Sequence, residues 1–107
     1  MTQEKHIETT IDGHAAEIKE LAYRYGVTSV GIFGSTVRGE AHPDSDVDVL
    51  IEWPIPHTLF DRMDLAEKIE TLLGRPVDVV LASRLHWTIR EQVLQEVVWL
   101  WKIPIFI

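Results

Sequence analysis

The chain has 107 residues, of which 10 are basic and 17 acidic, and it has no cysteine and a formal net charge of −7. This length predicts a single domain over residues 1–107. The absence of cysteine excludes disulfides, thiolate zinc sites and cysteine nucleophiles, and the acidic balance argues against bulk nucleic-acid binding. Residues 1–10 are too polar for a signal peptide, and no apolar stretch approaches the roughly 18 residues of a membrane span. We therefore expect a cytoplasmic protein that does not interact with membranes.

The first half of the chain predicts a helix followed by a buried strand. Apolar residues recur with helical spacing over about 13–25, and Gly26 is placed to end the helix. An apolar face could extend this helix back towards Glu4. Residues 27–33 are β-branched and apolar, which predicts a strand, and a short helical turn is expected at 35–38.

The second half predicts a strand, a helix and another strand in succession. Residues 47–51 have the composition of a strand, and prolines follow them. Thr58 and Asp61 form a capping-box-like helix start, and Gly74 is placed to close that helix. A third strand is expected over 77–81.

The end of the chain predicts a last helix and then an apolar tail. Thr88 and Glu91 give a second capping pattern, and the helical spacing continues to Leu100. Residues 99–107 form an apolar tail, which we expect either to fold back as an edge strand or, by preference, to contact another chain. The order of elements predicts an α/β (α+β) fold with a small mixed sheet of three to four strands flanked by helices.

Three aspartates in or directly before two predicted strands are candidate metal ligands. Asp46 and Asp48 are two residues apart, so both carboxylates project from one face of an extended strand. Hard oxygen ligands at this spacing suit Mg²⁺, whereas a solvent-facing acidic strand edge is the alternative. Asp78 lies between β-branched residues, where burying a carboxylate is costly without a cation or a donor. Most such acids are satisfied by a hydrogen bond or an arginine, but here a third carboxylate favours a shared cation site.

A glycine-serine pair at the end of the second predicted element is a candidate phosphate-binding turn. Gly34 lets the backbone approach an anion closely, and Ser35 adds a hydroxyl at the start of a helical turn. A simple helix cap is the alternative for this pair. Arg38 lies one turn further on and could either reach a phosphate or pair with Glu40 or Asp44.

Together these residues resemble the signature of a known superfamily. A Gly-Ser pair at 34–35, ten residues and Asp-Val-Asp at 46–48 are similar to the motif of the DNA polymerase β-like nucleotidyltransferases. The string Gly-Ser-x-x-Arg-Gly-Glu-Ala at 34–41, with Ser45 before the acids, resembles the minimal, MNT-type branch. The resemblance covers about residues 14–98 and implies the polymerase β-like palm fold.

The resemblance also implies a role for each motif residue. Asp46 and Asp48 would hold two Mg²⁺ ions that bridge the phosphates of a nucleotide. Asp78 would bind the catalytic metal and help to deprotonate the attacking hydroxyl. Gly34 and Ser35 would grip the terminal phosphates, and Arg38 is a further nucleotide-binding candidate.

The function that the resemblance implies is transfer of a nucleoside monophosphate to a hydroxyl acceptor. The donor would be ATP or another nucleoside triphosphate, with AMP the group transferred. The acceptor would be a HEPN-type partner toxin, silenced by the modification, so that the chain acts as an antitoxin. The alternatives are a binding module that neutralises its partner by contact alone, and a transferase acting on a small molecule.

Overall fold

The computed structural model describes residues 9–40 and 45–103, with side chains from residue 11 onwards. The elements in chain order are α1 (Thr9–Gly13), α2 (Ala15–Tyr25), β1 (Ser29–Phe33), α3 (Ser35–Arg38), β2 (Val47–Glu52), α4 (Leu59–Leu73), β3 (Val77–Leu81), α5 (Trp87–Glu96) and β4 (Val98–Lys102). A short 3₁₀ turn, Ala82–Arg84, joins β3 to the segment before α5.

The four strands form one mixed sheet in the order β3-β2-β1-β4. β1 pairs antiparallel with both β2 and β4, whereas β2 and β3 are parallel and are connected through α4. The mixed sheet with flanking helices confirms the predicted fold class. β3 and β4 are its two edge strands.

The two faces of the sheet are covered differently, and this difference places the site. Alternate residues of β1 and β2, including Ile32 and Val49, are buried in a core with α2 and α4. The opposite face carries Leu50, which packs with Val93 and Val97 at the end of α5 and at the α5–β4 junction. Asp48 is two residues from Leu50, so it belongs to the α5 side of the sheet.

The start of α4 follows the sequence prediction. The Thr58 hydroxyl accepts a hydrogen bond from the Asp61 N–H at 3.1 Å, and the Asp61 carboxylate accepts one from the Thr58 N–H at 2.8 Å. This reciprocal capping box satisfies two of the N–H groups that a helix start leaves unpaired. The helix ends at Gly74, which has a φ of 68°.

The first predicted helix is interrupted in the structure. α1 ends at Gly13 and α2 begins at Ala15, with His14 as the residue that precedes α2. Glycine weakens a helix at this point because it loses more backbone conformational entropy on entering the helix than any other residue. The proposed extension towards Glu4 falls outside the described residues.

The prediction for the last helix was wrong at both ends. α5 begins at Trp87, and its cap is His86, whose ring nitrogen accepts a hydrogen bond from the Thr88 N–H. The helix stops at Glu96 rather than at Leu100, because the β-branched and aromatic residues that follow pair with the otherwise open edge of β1. The tail is therefore an edge strand as far as β4 extends.

The predicted contact of the tail with another chain stays a prediction, and residues 104–107 lie outside the described part of the chain. Within the ranges that the structure describes, no helix has the length and apolar character needed to cross a membrane.

Candidate active site

The sheet brings the predicted acids to one end of its α5 side. Asp48 lies on the central strand β2, with Phe33 of β1 and Asp78 of β3 as its register partners. Asp46 lies just before β2 and is exposed. The parallel pairing of β2 with β3 is therefore what places Asp78 beside the Asp-x-Asp pair.

The environment of Asp48 disfavours its charged form. Asp48 is half-buried, and this burial is the main cause of a raised pKa; the nearby charges of Asp78 and Asp46 raise the pKa further, while Arg38 opposes them. Such a site gains from the arrival of a cation. The expectation that Asp78 is a buried acid was wrong: Asp78 is exposed, because β3 is an edge strand.

The side chains at this site provide carboxylate oxygens, the type of ligand that a hard divalent cation prefers. Within residues 11–40 and 45–103, no group of three or more histidine, aspartate or glutamate side chains is already arranged to hold a metal ion. A magnesium site does not require such a cage, because Mg²⁺ is held by one or two carboxylates together with substrate phosphates and water. Asp46 and Asp48, with Asp78 on the neighbouring strand, provide carboxylates of that kind.

Gly34 lies in contact with Asp48 and has a conformation that other residues avoid. Its φ is 79° and its ψ is −153°, a region that is accessible almost only to glycine. A Cβ atom at this position would overlap the Asp48 Oδ2 atom. The glycine therefore allows the turn before α3 to lie directly against the carboxylate, and Ser35 begins α3 from that point.

Arg38 points into this cluster and already has two acidic partners. Its Nε donates to Glu40 Oε2 at 3.2 Å, and its Nη1 donates to Glu96 Oε1 at 2.8 Å. The predicted pairing with Glu40 is thus present, whereas Asp44 lies outside the described residues. The role of Arg38 in phosphate binding stays a prediction.

Glu96 is a residue of this site that the sequence did not reveal. It is the last residue of α5, and its carboxylate also accepts a hydrogen bond from the Gly34 N–H at 2.5 Å. An acid at the C-terminal end of a helix opposes the helix dipole. The sequence carried no signal of this placement, because the helical spacing was predicted to continue to Leu100 and so placed Glu96 inside the helix.

Hydrogen bonds from the connection between α4 and β3 hold the segment around Asp46 in place. Arg75 donates from Nε and Nη2 to the Ser45 carbonyl oxygen at 3.2 and 3.1 Å. The Val47 N–H donates to the Pro76 carbonyl oxygen at 2.9 Å. These bonds hold the start of β2 at the site, and no sequence pattern pointed to Arg75.

The comparisons with known proteins agree with this arrangement. The nucleotidyltransferase domain family matches residues 11–100. A protein adenylyltransferase, MntA, from Thermococcus cleftensis is 43% identical over 95 residues, which cover 89% of this chain and 93% of the relative. A solved structure of a minimal nucleotidyltransferase has a TM-score of 0.76 and 36% identity, and the match covers 90% of this chain and 98% of that one.

A more distant solved structure shows the same fold. It contains a tri-AMPylated HEPN toxin from Shewanella oneidensis in complex with its MNT antitoxin, and it matches with a TM-score of 0.64 and 21% identity over 84% of this chain and 71% of that one. The family resemblance carried by the Gly-Ser and Asp-x-Asp motif is confirmed by the nucleotidyltransferase domain family match and by the T. cleftensis relative. The chain belongs to the nucleotidyltransferase domain family, whose members generally use a divalent metal, in its branch of minimal protein adenylyltransferases.

Proposed function

We propose that this chain is a Mg²⁺-dependent adenylyltransferase that moves AMP from ATP to a hydroxyl group of a partner protein. One observation carries the proposal: the half-buried carboxylate of Asp48 lies directly against the glycine turn at Gly34, with Asp78 as its register partner. A cation-binding edge and a phosphate-binding turn thus share one small surface. The carboxylates of Asp46 and Asp78 repel that of Asp48, and a bound cation would offset this repulsion.

Asp46, Asp48 and Asp78 are the residues that would hold Mg²⁺, and we propose two ions. When bound, the metal neutralises charge on the phosphates and favours in-line attack at the α-phosphate, with pyrophosphate as the leaving group. The pKa of Asp48 is raised first by burial and then by its acidic neighbours. A bound cation would stabilise the charged form of this carboxylate, which the site alone disfavours.

The remaining residues bind the nucleotide and receive the acceptor's proton. The Gly34 backbone N–H, the Ser35 hydroxyl and the Arg38 guanidinium form the donor set for the terminal phosphates. Asp78 is exposed on an edge strand, so an acceptor hydroxyl from another chain can approach its carboxylate and lose its proton there.

The acceptor in this proposal is a hydroxyl side chain of a HEPN-type toxin, which the modification silences. The proposal is supported by the T. cleftensis relative, named a protein adenylyltransferase, and by the S. oneidensis complex, in which the HEPN toxin is AMPylated. The chain would accordingly act as an antitoxin in the cytoplasm, where ATP is available. An additional contact through the apolar tail belongs to the same proposal.

Transfer of label from ATP tests this function. The chain and its HEPN-type partner are incubated with Mg²⁺ and ATP labelled at either the α- or the γ-phosphate. We expect the partner to gain the α-label and not the γ-label, and to gain neither with Asp46→Asn plus Asp48→Asn. The control is Asp12→Asn plus Glu67→Gln, which removes two exposed acids elsewhere and should transfer normally. Neutralisation of the toxin that survives the Asp46/Asp48 double change would instead favour a binding module.

A further inference from the structure

A carboxylate already occupies the donor groups of the candidate phosphate site. Glu96 Oε1 accepts hydrogen bonds from the Gly34 N–H at 2.5 Å and from Arg38 Nη1 at 2.8 Å. The Glu96 side chain is 15% exposed, whereas the side chain of Arg38, its partner, is 45% exposed. One oxygen atom therefore engages two of the groups that the proposed function assigns to the nucleotide.

The chemistry of this contact is that of a phosphate contact. An arginine and a backbone N–H donate to a carboxylate oxygen and to a phosphate oxygen with similar geometry. Glu96 takes this place against two local effects, since it lies at the C-terminal end of α5 and near the negative charge of Asp48. The contacts with Gly34 and Arg38 are the observed interactions that offset these effects.

We propose that Glu96 substitutes for a nucleotide phosphate in the free protein, and that a triphosphate must displace it in order to bind. This proposal rests on the proposed function only in its assignment of the Gly34 turn as the phosphate site. A phosphate oxygen bound to the Gly34 N–H while Glu96 Oε1 still accepts from it would bring two negative charges into contact, and their repulsion makes occupancy by one anion displace the other. Glu96 is thus a residue that sets the affinity of the site for its nucleotide.

The exchange requires only a side-chain movement. Val97, which follows Glu96, is 4% exposed and packs with Leu50 and Val93, so the backbone at this point is held in the core. Rotation of the Glu96 side chain frees the Gly34 N–H and the Arg38 guanidinium without unwinding α5. The apparent affinity for a phosphate ligand is then the intrinsic affinity multiplied by the fraction of molecules in which Glu96 is displaced.

Calorimetry with two probes tests the proposal. ATP and sodium tripolyphosphate are titrated into the wild type and into Glu96→Gln, each in EDTA and in Mg²⁺. If Glu96 is displaced about one-tenth of the time, Glu96→Gln should bind tripolyphosphate about tenfold more tightly. The control is Glu91→Gln, an exposed residue of the same helix, which removes the same charge and should leave the affinity close to that of the wild type. Equal or weaker binding by Glu96→Gln would overturn the proposal and make Glu96 a residue that only positions Arg38.

The amide proton of Gly34 gives a second, independent reading by NMR. In the free wild type it should resonate at low field because its acceptor is charged, and it should move to higher field in Glu96→Gln. Tripolyphosphate should return it to low field in the variant. A Gly34 amide that does not respond to the Glu96→Gln change would show that the carboxylate does not hold this group, and would contradict the proposal.

These measurements separate this proposal from the proposed function. Tripolyphosphate binding and the Gly34 resonance involve no chemical step, so they can support the role of Glu96 even if no AMP reaches a partner. Conversely, AMP transfer with unchanged affinity in Glu96→Gln would support the proposed function and refute the role of Glu96.

Discussion

Replacing Asp48 with asparagine should stabilise the metal-free protein while removing its activity. Asp48 is half-buried beside its register partner Asp78, and neighbouring strands are about 4.8 Å apart. Two unit charges at about 5 Å repel by about 1 kcal/mol in water and by about 3 kcal/mol in a surface environment of lower dielectric constant. Because Asp78 is exposed, the lower part of this range applies, and we expect Asp48→Asn to gain about 1–2 kcal/mol.

Thermal unfolding in EDTA at pH 7 measures this gain. For a domain of this size, about 1 kcal/mol shifts the Tm by about 4–8 °C, so a gain of about 1–2 kcal/mol in Asp48→Asn should raise the Tm by about 4–16 °C. Glu67→Gln removes an exposed acid on α4 and should change the stability by less than about 0.5 kcal/mol. A Tm of Asp48→Asn equal to or below that of the wild type would refute the reasoning.

The pH dependence of the same difference has a definite sign. Burial, followed by the charges of Asp78 and Asp46, raises the pKa of Asp48, so the folded protein takes up this proton more readily than the unfolded chain. Stability of the wild type therefore falls as the pH rises through the interval between the ordinary and the raised pKa. The advantage of Asp48→Asn should be largest above the raised pKa of Asp48 and should disappear below about pH 4.

Three further predictions concern the turn, the core and the sheet edge. Gly34→Ala should abolish ATP binding in calorimetry because its Cβ would overlap Asp48. Its control is Gly39→Ala, at a residue with a φ of 75° and open space around it. This variant should lose about 1 kcal/mol of folding stability from backbone strain and keep ATP binding. Thr36 is 2% exposed and its hydroxyl has no hydrogen-bond partner among the described residues, so Thr36→Val should raise the free energy of unfolding in urea by about 1 kcal/mol. Burial raises the pKa of Glu52, but hydrogen bonds, one of them from Lys102 at 2.9 Å, lower it by more. The stabilisation by this pair should therefore be present above about pH 4.5 and lost as the pH falls through the lowered pKa, so that the deficit of Lys102→Met in urea unfolding closes in acid.

The placement of the candidate site residues was partly predictable because the signals are local. The two-residue spacing of Asp46 and Asp48 predicts that their carboxylates lie on the same side of an extended segment, wherever that segment lies in the fold. In the structure, however, Asp46 falls just before the first residue of β2. A glycine-serine pair at the end of an apolar strand likewise marks a turn without reference to distant residues. The capping box at Thr58 was correct for the same reason, since all its hydrogen bonds lie within one helical turn.

The features that the sequence did not predict depend on contacts between distant segments. Glu96 reaches Gly34 and Arg38 only because α5 ends beside the turn, and Arg75 reaches Ser45 only because β2 and β3 are parallel. Such pairings have no spacing rule in a single sequence.

The end of α5 was misassigned for a related reason. The run Val97-Val98-Trp99-Leu100 fits a helical face and a strand about equally well, and the unpaired edge of β1 decides between them. Asp78 was expected to be buried because its neighbours are apolar, but the exposure of an acid on a strand depends on whether that strand is central or at an edge.

The most direct test of the central claim is the intact mass of the HEPN-type partner after incubation with the chain, ATP and Mg²⁺. The account predicts a gain of one or more AMP units that requires Asp46 and Asp48 and is prevented by EDTA. An unchanged partner mass under conditions in which the wild-type chain binds both the partner and ATP would contradict it.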